Sequence, residues 1–455
     1  MEKIIKIGSY VLVFLLPWQT RWIFKAGKIN GGASEYLTYS LYAADVLLIA
    51  LLVLAMFYLR KNIFARIFAF FNAIKKIEFF QGKNIEVMII PLFLLAGLIS
   101  IFFAENKALA SFAEIRILLA VGFFWIIARF TQKSKVAVCF VLGLVGPAIL
   151  AIWQFLTQQT HAFKWLGLAE HPAFAGGTSV IESYANGMVS GRWLRAYGSF
   201  DHPNMLGGAL AIGLLVCLWL LIESRKETRH SRMTGENKKT VNMIFIYVSV
   251  VILSAGIFVS FSRSAWLALS LGITAGGIFL FFQKKFIDLK NWIFGAVIVA
   301  VVFVVLLLNH QELVNVRTQS EMRLEKLSLD QRKIYIKQAK ELIFNNSITG
   351  VGIGNYVAEV ERSNPGDPVW TYQPVHNVFL LVWAELGIFG VLLLLIFYMT
   401  MIWTHGRINL LMLVLLISLL PMMLFDHWLW SLHFGVLFFA IILGITVGFS
   451  EKEKV

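Results

Sequence analysis

Long apolar stretches alternate with short polar segments along most of this chain of 455 residues. A helix needs roughly 20 apolar residues to cross about 30 Å of hydrocarbon, and these stretches are of that length. Backbone groups in lipid must form hydrogen bonds within their own segment, so the stretches are predicted to be helices. The pattern therefore predicts an all-α polytopic membrane protein.

About 12 transmembrane helices are predicted. They lie near residues 4–23, 37–59, 86–103, 108–128, 136–156, 203–222, 243–261, 265–282, 292–308, 377–402, 408–425 and 431–449. These helices divide the chain into a nine-helix part (1–308), a large loop (309–376), and a three-helix part with a short tail (377–455). A second long loop is expected near 157–202.

Composition and charge support this class. Hydrophobic residues make up 58% of the chain, charged residues 15%, and mean hydropathy is +0.75, which excludes a soluble domain. The net charge of +14 comes from Lys and Arg in the segments 60–83, 129–135, 225–239 and 284–290. Basic residues favour cytoplasmic loops, so both termini are predicted to be cytoplasmic and both long loops external. A nucleic-acid partner is not expected, because no binding motif accompanies the charge.

The large loop has a pattern of its own. Residues 321–344 carry apolar side chains at helical spacing with charges between them, which predicts an amphipathic helix on the external face. A glycine-rich stretch, GVGIGN at 350–355, follows it. The two cysteines, Cys139 and Cys217, both lie in apolar stretches, so neither a disulfide nor a metal site is expected from them.

The first candidate site is the segment LRAYGSFDHPN at 194–204, at the start of the sixth predicted helix. Pro203 suits a first helical turn, and Asn204 or Asp201 suits the cap. Free N–H groups at a helix N-terminus attract anions, and Arg195 beside them would complete a phosphate site. The alternative is that Arg195 only extends towards the membrane boundary.

The second candidate is the turn FSRSAW at 261–266. Arg263 is the single charged residue between 242 and 284, and it is predicted to lie on the external side, against the usual charge bias. A charge near the membrane interior is costly, which favours a functional role. A structural arginine, or one paired with a loop carboxylate, is the alternative.

The third candidate is QPVHNVF at 373–379, which leads into a helix that contains Glu385. His376 would lie at the external end of that helix, and histidine accepts protons near neutral pH, as a general base requires. A buried or capping histidine is the alternative. Glu385 lies about two turns inside the helix and would need a partner, so it either reacts or holds another helix in place.

Several motifs are absent, among them Asp-x-Asp, His-Glu-x-x-His and the nucleotide-binding Gly-x-x-x-x-Gly-Lys-Ser/Thr. Metal-assisted phosphate chemistry and ATP hydrolysis therefore lack a basis in the sequence, and neither a metal nor a cofactor is predicted. The charge of a pyrophosphate leaving group would then be met by arginines, which Arg195 and Arg263 can supply.

In their order and context these segments resemble the bacterial O-antigen ligase and polymerase superfamily. The resemblance spans most of the chain. It includes the helix number, the segment 194–204, the Ser-Arg-Ser-Ala turn, the large loop, the glycine-rich stretch, and the run from His376 to Gly390.

This resemblance implies a metal-independent, inverting glycosyltransferase of the bacterial inner membrane with its active site on the periplasmic side. The implied donor is a glycan on undecaprenyl pyrophosphate, and the implied acceptor is lipid A-core or another glycan. Arg195 and Arg263 match the arginines that hold the pyrophosphate, and His376 matches the base that deprotonates the acceptor hydroxyl. The predicted supporting residues are Asp201, Asn204, Asn377 and Glu385.

Other functions remain open at this point. A polysaccharide polymerase, a protein O-oligosaccharyltransferase or a cell-wall polymer synthase would use the same chemistry on another acceptor. A lipid or polysaccharide transporter is the alternative from a different class, since a dozen helices suit one. Transporters usually place charges near the membrane midplane in paired repeats, whereas this chain has candidate charges at one face and no repeat.

Overall fold

The computed structural model describes residues 1–75, 85–185, 188–234, 243–319 and 322–447. Parts of the predicted cytoplasmic segments, at 76–84 and 235–242, lie outside these residues, as does the predicted C-terminal tail from 448. The described chain is mostly helical with little strand, as predicted.

Twelve of the helices form the bundle. They are α1 (Glu2–Leu15), α2 (Ala43–Lys75), α3 (Ile85–Phe103), α4 (Lys107–Phe130), α5 (Lys133–Thr157), α6 (Pro203–Thr234), α7 (Met243–Val259), α8 (Arg263–Phe282), α9 (Phe286–Asn309), α13 (Val378–Thr400), α14 (Leu410–Phe425) and α16 (His433–Val447). Of the described residues, seven helices are long and apolar enough to cross a membrane, and four apolar helices are shorter. The total of about 12 membrane crossings stays a prediction.

Four further helices lie between these elements. They are α10 (Gln311–Thr318), α11 (Arg323–Asn345), α12 (Tyr356–Ser363) and α15 (Trp428–Ser431). Helix α11 corresponds closely to the amphipathic helix predicted over 321–344. It contacts α13, and α12 contacts both α13 and the N-terminal hairpin.

The all-α prediction is wrong at two β-hairpins. The first helix was predicted over 4–23, but it ends at Leu15 because Pro17 cannot continue it. Strand β1 (Arg21–Ile29) then pairs antiparallel with β2 (Gly32–Tyr42), so the helix predicted from 37 begins only at Ala43. The turn is Asn30-Gly31 with φ of 48° and 81°, the residue pair that favours tight hairpin turns.

The second hairpin lies in the loop that was predicted near 157–202. Strands β3 (Val180–Ala185) and β4 (Met188–Leu194) pair antiparallel, and β3 contacts α10. The first hairpin contacts the segment around 369–371. Both hairpins therefore lie at the same end of the bundle as residues 310–377, and we call this end the loop face.

Helix α6 forms the centre of the bundle and contacts α5, α7, α8, α9 and α14. In the apolar part of α6, Pro203–Lys226, 94% of the residues are buried inside the bundle. The corresponding share for α9 is 22%. A helix that is apolar all round is stable only when other helices or lipid surround it. The N-terminus of α6, with the predicted segment 194–204 before it, is thereby fixed at the middle of the loop face.

The glycine-rich stretch at 350–355 fills a break in α13. Gly387 has a φ of 70°, and a Cβ atom there would lie 1.9 Å from the carbonyl oxygen of Ile348. The N–H groups of Val351 and Gly352 donate to carbonyls of α13 just before the break, at 2.8 and 3.0 Å. These bonds anchor the large loop to the helix that follows His376.

Candidate active site

The two arginines predicted as separate anion sites meet at one turn. Arg195 lies between β4 and α6, and its side chain is buried. Its Nε donates a hydrogen bond of 3.0 Å to the carbonyl oxygen of Ser260. Ser260 belongs to the turn that leads to Arg263, the first residue of α8. The tertiary structure thus brings the first two candidate segments together.

A carboxylate from α11 joins this group. Glu325 forms an ion pair of 2.9 Å with Arg263 and a second ion pair with Arg317 of α10. Arg317 also donates from Nε to the carbonyl oxygen of Phe261, at 3.2 Å. We call Arg195, Arg263, Arg317 and Glu325 the arginine cluster.

Burial makes this concentration of charge costly. Burial lowers the pKa of Arg195 well below its usual range, and the nearby charge of Arg317 lowers it further. Burial also lowers the pKa of Arg317, while Glu325 raises it and Arg263 lowers it. Arginine stays protonated in proteins, so these shifts reflect the cost of holding several cations together. A phosphate bound among them would offset that cost.

Three histidines and an aspartate form a second group beside the first. His376 precedes α13, and Asp426 and His427 lie between α14 and α15. The rings of His376 and His427 are 4.8 Å apart and nearly perpendicular. Tyr335 of α11 stacks on His376 with ring centroids 5.6 Å apart. His202 accepts a hydrogen bond of 3.1 Å from the N–H of Asn204 through Nδ1, and the charges of Asp426, His376 and His427 act on it. We call His202, His376, His427 and Asp426 the histidine cluster.

One side chain joins the two clusters. Asn204, in the first turn of α6, accepts a hydrogen bond of 2.7 Å from Arg195 through Oδ1. Its Nδ2 donates to Oδ2 of Asp426 at 2.8 Å. The other carboxylate oxygen of Asp426 accepts from the backbone N–H of His427, also at 2.8 Å. A continuous path of hydrogen bonds therefore connects the buried Arg195 to Asp426 and to the backbone of His427.

The environment of the histidines favours their neutral form. Burial lowers the pKa of His376, the charge of Asp426 raises it, and that of Arg332 lowers it, with a net decrease. Burial lowers the pKa of His427 to about 3, and the proximity of His376 contributes. Burial also lowers the pKa of His202, as does Arg195. At neutral pH these imidazoles are uncharged, which is the state that a general base requires.

The other predicted residues have different surroundings. Asn377 caps α13, accepting from Leu380 N–H at 3.0 Å, and its amide donates to the carbonyl of Leu424 at 3.2 Å. Glu385 is buried and accepts a hydrogen bond of 2.8 Å from Trp430 of α15. This contact fits the alternative in which Glu385 holds another helix in place.

Asp201 differs from Asn204, its near neighbour in the sequence. The charges that act on Asp201 are those of Glu35 and Arg21 in the first hairpin. Within the described part of the chain, Asp201 forms no hydrogen bond with either cluster. Of the four predicted supporting residues, Asn204 is the one whose side chain contacts both.

A metal could be held by part of the histidine cluster. His376, Asp426 and His427 each offer one ligand atom, and these atoms lie within 4.8 Å of one another. Two imidazoles and a carboxylate suit a borderline metal such as Zn²⁺. The sequence motifs gave no indication of this group, and the absence of a catalytic metal stays a prediction.

Sequence reasoning missed several residues of these clusters. They are His202, Arg317, Glu325, Tyr335, Asp426 and His427. A signal was present for two of them, because Asp426-His427 is a polar pair that interrupts an apolar region between 410 and 447. His202 lies in the candidate segment 194–204, and Glu325 and Tyr335 lie in the predicted amphipathic helix, but nothing in those patterns distinguishes these residues from their neighbours. They and Arg317 become significant only through their contacts.

Residues 248–395 match the family model described as O-antigen ligase. This match supports membership of the O-antigen ligase superfamily. The matched part is about a third of the chain and contains Arg263, Arg317, Glu325 and His376, whereas Arg195 and Asp426 lie outside it. A search of curated proteins finds no match. The family suggests glycosyl transfer of the ligase or polymerase type, with lipid-linked glycans as substrates in general.

Proposed function

We propose that this protein transfers a glycan from undecaprenyl pyrophosphate to lipid A-core, without a metal and with inversion at the anomeric carbon. In this proposal His376 is the general base, and Arg195 and Arg263 bind the pyrophosphate. The reaction takes place on the loop face, which is then the periplasmic side of the inner membrane.

The hydrogen-bond path from Arg195 through Asn204 to Asp426 carries the proposal. It holds the buried Arg195, with the half-buried Arg263 and Arg317 nearby, beside imidazoles that are neutral at pH 7. Glycosyl transfer from a pyrophosphate needs these two elements together, since one stabilises the charge that leaves and the other removes a proton from the nucleophile.

The reaction follows from these roles. The neutral imidazole of His376 takes the proton of the acceptor hydroxyl as the oxygen attacks the anomeric carbon of the donor sugar. The bond between that carbon and the pyrophosphate oxygen breaks, and the electron pair leaves with the lipid pyrophosphate. Arg195 and Arg263 stabilise the negative charge that develops there. Attack from the side opposite the leaving group inverts the anomeric carbon.

An apolar cavity supports a lipid-linked substrate. Helices α3, α4, α13 and α16 line it, and its wall includes Val378, Leu429 and Trp430. Val378 lies two residues after His376, and Leu429 two residues after His427. A polyprenyl chain in this cavity would therefore begin next to the histidine cluster.

Transfer by the purified protein in detergent tests the proposal. The assay contains an undecaprenyl-pyrophosphate glycan as donor, lipid A-core as acceptor and a chelator. We expect product with the wild type and at most a small residual amount with His376→Ala. His161→Ala is the matched control, because His161 is exposed and contacts Trp153 rather than either cluster.

The products distinguish the alternatives. Consumption of donor into longer glycan chains would identify a polymerase, and a shift of protein bands would identify a protein transferase. Movement of labelled lipid across liposomes without formation of a glycosidic bond would identify a transporter and refute the proposal. Full activity of His376→Ala would refute the assignment of the base.

A further inference from the structure

Helix α11 connects the two clusters along its length. Near its N-terminus Glu325 pairs with Arg263 and Arg317, and ten residues later Tyr335 stacks on His376. A helix rises 1.5 Å per residue, so these contacts are about 15 Å apart along its axis. The face of α11 between them is therefore turned towards the space between the arginine cluster and the base.

Arg332 lies on that stretch of α11. It follows Glu325 by seven residues, which is close to two full turns, and it precedes Tyr335 by three. Residues at these spacings share one side of a helix. The side chain is half-buried, and its charge acts on both His376 and His427. Arg332 is thus placed between the cations and the imidazoles.

The guanidinium of Arg332 differs from the others in being free. Arg195 is held by Ser260 and Asn204, while Arg263 and Arg317 share Glu325. Arg332, in contrast, has no hydrogen bond and no ion pair to any residue in the described ranges. A guanidinium carries five N–H donors, and those of Arg332 are available to a bound anion.

The local charge balance indicates what Arg332 binds. Four arginines (195, 263, 317 and 332) face two carboxylates, Glu325 and Asp426, and the histidines are neutral. Two positive charges are therefore left over. A glycan joined to a lipid through pyrophosphate carries one negative charge on each phosphate, which balances them. Guanidinium groups bind phosphate oxygens in pairs, with good directionality.

We propose that Arg332 binds a phosphate of the lipid-linked donor, between the arginine cluster and His376. This inference rests on the proposed function and adds a residue to its binding site. Arg332 provides the unpaired cation, and Arg195 and Arg263 are held in place by the protein. The donor then spans the distance along α11 from Glu325 to Tyr335, with its anomeric carbon towards His376.

Binding of farnesyl pyrophosphate to the purified full-length protein in detergent tests this inference. Calorimetry is carried out on the wild type, Arg332→Gln, Arg332→Lys and Lys333→Gln. Lys333 is the matched control, because it is the next residue on α11 but its side chain is 78% exposed and pairs with Asp330. We expect Arg332→Gln to bind about 10-fold to 100-fold more weakly, the usual effect of losing a bond to a charged group. Arg332→Lys should fall between it and the wild type, and Lys333→Gln should equal the wild type.

Farnesol, which lacks the pyrophosphate, provides the second measurement. If the wild type and Arg332→Gln bind farnesol equally, the affinity that Arg332→Gln loses for farnesyl pyrophosphate comes from the charge of the pyrophosphate. A similar loss for farnesol would overturn the inference, because it would indicate damage to the fold.

The remaining outcomes separate this inference from the function on which it rests. Unchanged affinity of Arg332→Gln for farnesyl pyrophosphate, with a clear loss in Arg195→Gln, would overturn the role of Arg332 alone. Failure of the wild type to bind farnesyl pyrophosphate would overturn the inference and the proposed donor site together.

Discussion

The arginine cluster and the histidine cluster are neighbours with opposite electrostatic character. The arginines carry a charge that no accessible pH removes, and Glu325 balances only part of it. His427 is buried and His376 is half-buried, and burial lowers the pKa of both imidazoles, so they are neutral at the pH where free histidine is half-protonated. One side of the site is therefore suited to hold an anion permanently, and the other to exchange a proton.

The boundary between the clusters is as informative as the clusters themselves. Asn204 contacts Arg195 with its oxygen and Asp426 with its amide nitrogen, so each neighbour meets the group of matching polarity. Aspartate at this position would place two carboxylates together, and lysine would place two cations together. A neutral amide lets both clusters keep their own character at hydrogen-bond distance.

The largest effect is expected when the base is removed. His376→Ala should lower kcat by about 10²-fold to 10⁴-fold, the usual contribution of a general base. The affinity for the donor should change little, because the arginine cluster stays intact. Transfer kinetics at several donor concentrations measure both quantities, with His161→Ala as control. A rise in KM with unchanged kcat would move His376 from catalysis to binding.

A somewhat smaller loss is expected on the arginine side. Arg195→Lys should lower kcat/KM by about 10²-fold, a typical loss for one preorganised group that stabilises developing charge. Lysine keeps the charge but cannot bond Ser260 and Asn204 in the same geometry. Arg192→Lys, a change on strand β4 three residues earlier, is the control for the same assay. Equal activity of Arg195→Lys and the wild type would show that charge without geometry is sufficient.

Uncoupling the clusters should have an intermediate effect. Asn204→Leu keeps the size of the side chain but removes both hydrogen bonds, and we expect kcat/KM to fall about 10-fold. A double-mutant cycle with Arg195→Lys measures the coupling, since residues in one network give non-additive losses. Strictly additive losses would mean that Asn204 does not transmit the position of Arg195 to Asp426.

The pH profile should separate the clusters without any mutation. Burial lowers the pKa of His376 from its ordinary value of 6.5, so the neutral base persists in mildly acidic solution. Activity should therefore fall on acidification with a midpoint below pH 6.5. Binding of the undecaprenyl-pyrophosphate glycan, whose two phosphates each keep one negative charge over this range, should be less sensitive to pH, because the arginines stay charged. An acid limb centred above pH 6.5 would contradict a buried neutral base.

The smallest effect is expected from chelation. EDTA should leave the transfer rate unchanged, since no metal motif occurs in the sequence and arginines supply the positive charge. A loss of activity that Zn²⁺ restores would show instead that His376, Asp426 and His427 hold a metal, as their spacing permits. Metal analysis of the purified protein is the direct control for that outcome.

Local patterns in the sequence were sufficient to predict many of the helices. The apolar stretches predicted the helices of the bundle, and the 3.6-residue spacing over 321–344 predicted α11, observed at Arg323–Asn345. The first hairpin was missed although Asn30-Gly31 signals one, because apolar residues on both sides of it resembled membrane helices. Length and hydropathy do not distinguish a strand of this kind from the end of a helix.

The sequence by itself also determined which single residues were chemically unusual, namely an arginine in an apolar turn, an arginine before a helix and a histidine before another. Only the tertiary structure decided which of them meet. Asn204 and Asp426 are 222 residues apart in the chain and 2.8 Å apart in space, and Glu325 reaches Arg263 from a separate helix. Periodicity and capping depend on neighbours within a few residues, whereas a site of this kind depends on how whole helices pack. The combination of fixed cations and neutral imidazoles is therefore a property of the packed bundle and its loop face.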